Sequence, residues 1–228
     1  MILAVVGLLR EARIVASEGV RVVVGGGDSA ALAARLEQAF TAEIKAVISF
    51  GVCGALAPAL RPGDVITASA VRDGRTRYPT DTTRTRYLLS HLPHAIGGVI
   101  AGSDVMLTSI EAKEALHGAS GAVAVDMESH IAARFADARG LPFAALRAVS
   151  DGVDRALPAA AQRGMRRDGS MDIGAVLAAL AADPRQLPAL IRTGLEAEKG
   201  FRALLRCHRL LGPRLGFAQI GHHALDVT

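Results

Sequence analysis

The stretch "AVDMES", residues 124–129, sets Asp126 and Glu128 around Met127 directly after a run of small apolar residues. Charge at the end of a buried strand is costly unless the acid opens a helix or the strand ends at a crevice. A solvated helix start and a ligand-facing crevice both make this stretch a strand-to-helix junction, as an α/β chain requires. In parallel α/β sheets ligands bind outside the carboxyl ends of the strands, where such acids would face them.

The same arrangement recurs on either side. Downstream, "LPFAALRAVSDGVD" (141–154) reads as a buried strand ending at Ser150 and Asp151. Upstream, "SFGVCGALAPALRPGDVI" (49–66) reads as a buried strand followed by a glycine turn. There Gly51 and Gly54 let the backbone approach a ligand, or merely connect strands tightly around a buried Cys53. Short β-branched or small apolar runs predict strands over 2–6, 20–24, 46–50, 64–70, 95–101, 122–125 and 142–149. Between them "SAALAARLEQAF", "SIEAKEALHG" and "ESHIAARFADARG" have helical spacing. This alternation predicts a largely parallel sheet covered on both faces. "VRDGRTRYPTDTTRTRY" (71–87) reads as a solvated loop, either a plain crossover or a mobile wall over a site.

Composition narrows the function classes. The chain has 228 residues, enough for one α/β domain, and half are hydrophobic, but only 4% are aromatic and Trp is absent. The core must therefore be built from Ala, Val, Leu and Ile. The net charge of +4 is carried almost wholly by scattered arginines, which argues against a concentrated nucleic-acid-binding face. Cys53 and Cys207 make neither a disulfide framework nor a metal spacing, which agrees with a reducing cytoplasm. "MILAVVGLLREAR" meets charge too early for a signal peptide or a membrane span. A cytoplasmic protein is expected, with neither metal nor redox cofactor. "VVVGGGDSAAL" (22–32) offers a strand, three glycines and a helix start that would suit an anion or a plain turn, but it is neither a Walker loop nor GxGxxG.

After Asp151 the pattern loosens. "DIGAVLAALAADP" (172–184) reads as a helix stopped by Pro184, and a helical tail is expected over 183–212. Leu187, Ile191, Leu195, Phe201, Leu205 and Leu211 form one apolar stripe on it; Arg192, Lys199 and Arg206 form a basic one. Such a helix ordinarily packs on its own domain, although 185–211 also has the character of a helix that lies on an anionic membrane surface.

Taken in order and spacing, "GVCGALAPALRPGD", "AVDMES" and "LRAVSDGVD" resemble the nucleoside phosphorylase superfamily. Within it the chain is similar to the methylthioadenosine/S-adenosylhomocysteine nucleosidases, and most of all to the hopanoid-associated phosphorylases implicated in removing adenine from adenosylhopane. The likeness covers roughly residues 1–155. It implies a single three-layer αβα domain over 1–228, with a mixed, largely parallel sheet and an extra C-terminal helical segment. It also implies a homo-oligomer, plausibly a dimer.

The resemblance assigns roles. Asp151 would protonate the departing purine at N7, oriented by Ser150; such an acid needs a raised pKa or a proton relay. Glu128 would hold the ribose hydroxyls and lie near the developing oxocarbenium ion. Met127 would lie against the sugar, Val105 and Met106 would line the base, and Gly51 and Val52 would border the substrate. Hydrolytic members carry a water-activating glutamate where this chain has Ala12. With Arg10 and Arg13 beside it and Gly7 before it, phosphate is the expected nucleophile and co-substrate, bound by Gly7, Arg10 or Arg13. Val52, where a serine often contacts phosphate or water, weakens that expectation. A hydrolase using Glu11, and a non-catalytic nucleoside- or lipid-binding module, are the alternatives. The stretch before Gly25 is short, as if a wall were cut back on the 5′ side of the ribose, which would suit a bulky apolar substituent.

Overall fold

The structure, a computed structural model, describes residues 1–164, 166 and 168–217. The expected domain runs to residue 228, and 218–228 lie outside the described residues. In chain order the first half contains β1 (Ile2–Val6), α1 (Leu9–Val15), β2 (Val20–Val24), α2 (Ser29–Ala39), β3 (Ala46–Ala55), β4 (Val65–Asp73), β5 (Thr76–Pro79) and α3 (Thr82–His91). The second half contains β6 (Ile96–Gly102), α4 (Ile110–Ser120), β7 (Ala124–Asp126), α5 (Ser129–Asp137), β8 (Phe143–Asp151), α6 (Ala159–Arg163), α7 (Ile173–Ala182) and α8 (Leu187–Leu211).

All eight strands join one sheet, ordered β2-β1-β3-β7-β6-β4-β5, with β8 bridging β3 and β4. Five pairings are parallel and three antiparallel, so the sheet is mixed and largely parallel as expected. The alternation did not reveal its closure. β3 pairs with β8, β8 with β4, β4 with β6, β6 with β7, and β7 returns to β3. Five strands thus form a ring, which leaves them no free edges.

Burial on the two faces follows strand periodicity. On β1, Leu3 and Val5 pack into one core with Leu32 and Leu36 of α2 and with Ile131 and Phe135 of α5. Ile2, Ala4 and Val6 pack into a second core with Val15 of α1, Leu88 of α3 and Phe201 and Leu204 of α8. Helices therefore cover both faces, giving three layers. Each fully buried Leu or Phe contributes roughly 1.5–3 kcal/mol of transfer free energy.

Some local expectations change. The segment 71–87 is not a solvated loop: Gly74 and Arg75 turn β4 into β5, with Gly74 at φ +57°, and Asp81 caps α3 by accepting from the Arg84 N–H at 2.8 Å. The glycine turn after residue 50 is strand, because β3 continues to Ala55. The single apolar stripe on the tail divides. Phe201 and Leu211 are buried, but Leu187, Ile191, Leu195 and Leu205 are exposed. Only the second half of α8 lies on the domain. There Gly200 permits close approach to the sheet, since a Cβ at that position would lie 3.0 Å from the Val149 carbonyl oxygen.

Candidate active site

The ends of β3, β7 and β8 bring the expected acids to one place. Gly54 on β3 pairs with Val125 of β7 on one side and with Asp151 of β8 on the other. Asp151 and the chain leading to Glu128 therefore flank a single strand, about 10 Å apart at normal strand spacing. The glycines of β3 are explained by this crowding. A Cβ at Gly51 would lie 2.6 Å from both Arg147 Nη1 and Glu11 Oε1, and one at Gly54 would lie 3.2 Å from Asp151 Oδ2.

Glu128, at the start of α5, is buried, and its side chain presses against the ends of β1 and β2. A Cβ at Gly7 would lie 2.7 Å from Glu128 Oε1, and one at Gly25 2.9 Å from its Cγ. Arg147 is fully buried and holds the acids together. Its Nε lies 2.5 Å from Asp126 Oδ2 and its Nη1 3.4 Å from Glu128 Oε2. Nη1 also donates to the Val52 carbonyl oxygen at 3.3 Å, while Nη2 donates to Ser49 Oγ. Asp126 accepts from the Ser129 N–H at 2.9 Å and from the Ser129 hydroxyl, so it anchors the helix start.

Glu11 completes this cluster from α1. Its Oε2 accepts from the N–H groups of Gly7 (2.7 Å) and Leu8 (2.9 Å), and its Oε1 from the N–H of Val52 (2.7 Å). Three carboxylates thus surround one guanidinium. Burial pushes the Glu11 carboxyl above its ordinary range, opposed by Arg147 and the three N–H groups. Burial pushes Glu128 up to about 8; Arg147 opposes the rise, and Asp126 and Glu11 add to it.

Asp151 is organised differently. Ser150 Oγ lies 2.8 Å from Asp151 Oδ1 and 3.1 Å from the Cys53 carbonyl oxygen. Lys113, fully buried on α4, donates to Asp151 Oδ2 at 2.6 Å, to the Gly152 oxygen at 2.7 Å and to the Arg155 oxygen at 3.3 Å. All three ammonium hydrogens are used.

The remaining expected residues divide between the site and the surface. Met127 sits between the two acids of β7 and α5. The Ser103 N–H donates to the Asp126 oxygen at 2.9 Å, which brings the segment carrying Val105 and Met106 to the end of β7. Val105 is exposed and Met106 half-buried. Val52 contributes backbone to the site, while its side chain packs toward the α8 core. Arg10 is turned away, 2.6 Å from Glu198 of α8 and 4.1 Å from the Phe201 ring centroid. Arg13 is exposed, and the Gly7 N–H is occupied by Glu11. Gly7, Arg10 and Arg13 are thus not assembled into one anion site. Cys53 and Cys207 are both free and buried.

Sequence reasoning passed over Arg147 and Lys113. Arg147 carries a usable signal: a lone arginine inside "FAALRAVSD" must find acids to be buried there. Lys113 carries none, because "EAKEAL" reads like any solvated helix turn.

Comparisons with known proteins give the family and the fold. The sequence profile of the Phosphorylase superfamily matches residues 4–182. No curated protein sequence matches the chain. A 5′-methylthioadenosine/S-adenosylhomocysteine nucleosidase from Helicobacter pylori, solved with butyl-thio-DADMe-Immucillin-A, is 16% identical over 89% of this chain and 95% of its own, with a TM-score of 0.61. The futalosine hydrolase of H. pylori is 18% identical over 66% of this chain and 87% of its own, with a TM-score of 0.58. A nucleosidase of the first type from Colwellia psychrerythraea, in complex with adenine, is 17% identical over 68% of this chain and 84% of its own, with a TM-score of 0.57. At such identities the likeness is one of fold.

Proposed function

We propose that this chain, which belongs to the phosphorylase superfamily, cleaves the N-glycosidic bond of a 5′-modified adenosine and releases adenine. The observation that carries this reading is the meeting of Asp151, Glu128, Arg147 and Glu11 around the glycines that end β1 and β3. A purine leaves readily only when N7 is protonated, and the ribosyl carbon it leaves behind becomes cationic. Asp151 is the proposed donor to N7. Paired with the Lys113 ammonium, it can act as a relay: the Asp151 carboxylate takes one proton from Lys113 and the resulting carboxylic acid gives one to N7, leaving Lys113 as the neutral amine. Glu128 takes the ribose hydroxyls, and in its ionised form its charge stabilises the oxocarbenium ion.

Water is the nucleophile this geometry supports best. Glu11 is buried at the end of β1 with a raised pKa, as suits a general base, and it occupies the N–H groups that an anion would need. Phosphorolysis is the second reading, favoured by Ala12 in place of the usual glutamate and by the buried Arg147 guanidinium. Adenine release with and without phosphate separates the two: turnover undiminished in phosphate-free buffer, and lost in Glu11→Gln, is expected for hydrolysis. Asp151→Asn and Glu128→Gln should each lower kcat by about 10²–10⁴-fold. Adenine release that survives both substitutions would refute this acid and this sugar clamp, whereas nucleoside binding with no adenine release by the unaltered chain would favour a non-catalytic nucleoside- or lipid-binding module.

For the substrate we propose a bulky apolar 5′ substituent, that of adenosylhopane in hopanoid biosynthesis, supported by the sequence resemblance and the shortened stretch before Gly25. Activity on 5′-alkyl adenosines of rising length tests it. A preference for the longer chains is expected, and equal use of methylthioadenosine would count against it.

A further inference from the structure

The helix α7, "IGAVLAALAA", carries no polar side chain, and a helix apolar all round is ordinarily buried. Of its ten residues only Ala179 is buried here. Met171 before it, Ile173 and Leu177 on it, and Leu187, Ile191 and Leu195 on the first half of α8 are all exposed large hydrophobics. Their spacing places Ile173 and Leu177 on one stripe and Leu187, Ile191 and Leu195 on another. A three-residue 3-10 turn, Pro184–Gln186, joins the two helices. This concentration of apolar surface between residues 171 and 195 exceeds the scattered exposure of single residues that needs no explanation.

The unpaired charges interleaved with this face are mostly basic. Arg163, Arg185, Arg192 and Lys199 have no acidic partner among the described residues. Of the nearby acids, Asp172 is engaged by Arg166 at 2.9 Å, Glu196 by Arg155 at 3.5 Å, and Glu198 by Arg10 at 2.6 Å and Arg202 at 3.2 Å, while Asp183 between the two helices caps the 3-10 turn through the Arg185 N–H. An open groove of about 480 Å³ borders α8, its lining more basic than acidic: Arg155, Arg192, Lys199 and Arg202 against Glu196 and Glu198. A second copy meeting this face across a two-fold axis would bring two net basic faces together. An anionic bilayer meets both demands, since it takes the apolar side chains at the acyl boundary and the cations at the headgroups.

We propose that α7 and the first half of α8 form a surface that docks the protein on an anionic membrane. It lies on the bilayer and does not span it. Among the described residues no helix is long and apolar enough to cross a membrane. The face is tied directly to the candidate site. The Leu9 N–H donates to the Gly169 oxygen at 3.0 Å, and a Cβ at Gly169 would lie 2.8 Å from the Gly7 oxygen, so the connection into α7 rests on the strand end that meets Glu128. Docking would therefore hold the site close to the acyl boundary. The docking surface stands without the substrate reading, because it is measured without turnover.

Flotation of the full chain with vesicles of phosphatidylglycerol and phosphatidylcholine, and of phosphatidylcholine alone, is the test. The chain is expected to float with the anionic vesicles only, and less so as salt is raised. Ile191→Asp and Leu177→Asp should each lower the bound fraction roughly tenfold or more with melting unchanged, and Arg192→Ala about fivefold. Three results would overturn the proposal: no flotation of the unaltered chain, equal flotation with neutral vesicles, or a solution dimer that Ile191→Asp dissociates, which would assign the face to a second copy.

Discussion

Glu128 shares its burial with Asp126 and Glu11, and Arg147 opposes all three. Its pKa is pushed from an ordinary 4.5 to about 8, so between those values the folded chain keeps a proton that the unfolded chain releases. The unfolded state then binds fewer protons, and stability falls as pH rises through that window. The ligand-free protein is expected to lose melting temperature from about pH 5 to pH 8, and Glu128→Gln should flatten that slope. A melting temperature that rises over this range in the unaltered chain would contradict the charge balance of the site. The same residue shows what sequence could and could not convey. "AVDMES" marks an acid at a strand end, but its proton affinity depends on Arg147 and Glu11, which are 19 and 117 positions away by subtraction of their numbers. Glu11 itself was legible only as an alternative base. Its place among three N–H groups comes from the packing of α1 against β3.

At the scale of elements, α4 and β8 are joined by Lys113. Its ammonium fixes one carboxylate oxygen of Asp151 and two carbonyl oxygens of the following loop. Lys113→Met removes this anchor while leaving Ser150 and Glu128 in place. It should lower kcat about 10²-fold with little change in KM, because misplacement of a reacting group by about 1 Å costs that much. An unaltered kcat would show that Lys113 serves only the fold. Elements were also where periodicity misled. "DGRTRYP" is polar and looks solvated, yet Gly74-Arg75 is a two-residue hairpin loop led by glycine that turns β4 into β5. The glycines of "GVCGA" read as a turn because small residues commonly mark one. Here they are strand residues kept small because the Arg147, Glu11 and Asp151 side chains lie against them.

For the whole molecule, the closing of five strands into a ring and the covering of both faces make the last described helix part of one core. Leu204 of α8 is fully buried, whereas Leu195 is 64% exposed. Leu204→Ala is expected to cost about 2–5 kcal/mol in a single unfolding transition. Leu195→Ala should stay within roughly 0.5 kcal/mol, both being read from denaturant midpoints. A separate early transition in Leu204→Ala would mean that α8 folds apart from the sheet. By itself the sequence determined the alternation of strands and helices, the largely parallel sheet, and the strand ends that lead to Ser150, Asp151 and Glu128. These follow from local spacing of apolar residues and from turns. Tertiary structure alone decided the ring closure, the burial of Arg147 and Lys113 among acids, the turning of Arg10 onto Glu198 and the exposure of α7. Each of these depends on contacts between residues far apart in the chain, and the cost of burying a charge or exposing a leucine is set by the neighbours that folding supplies.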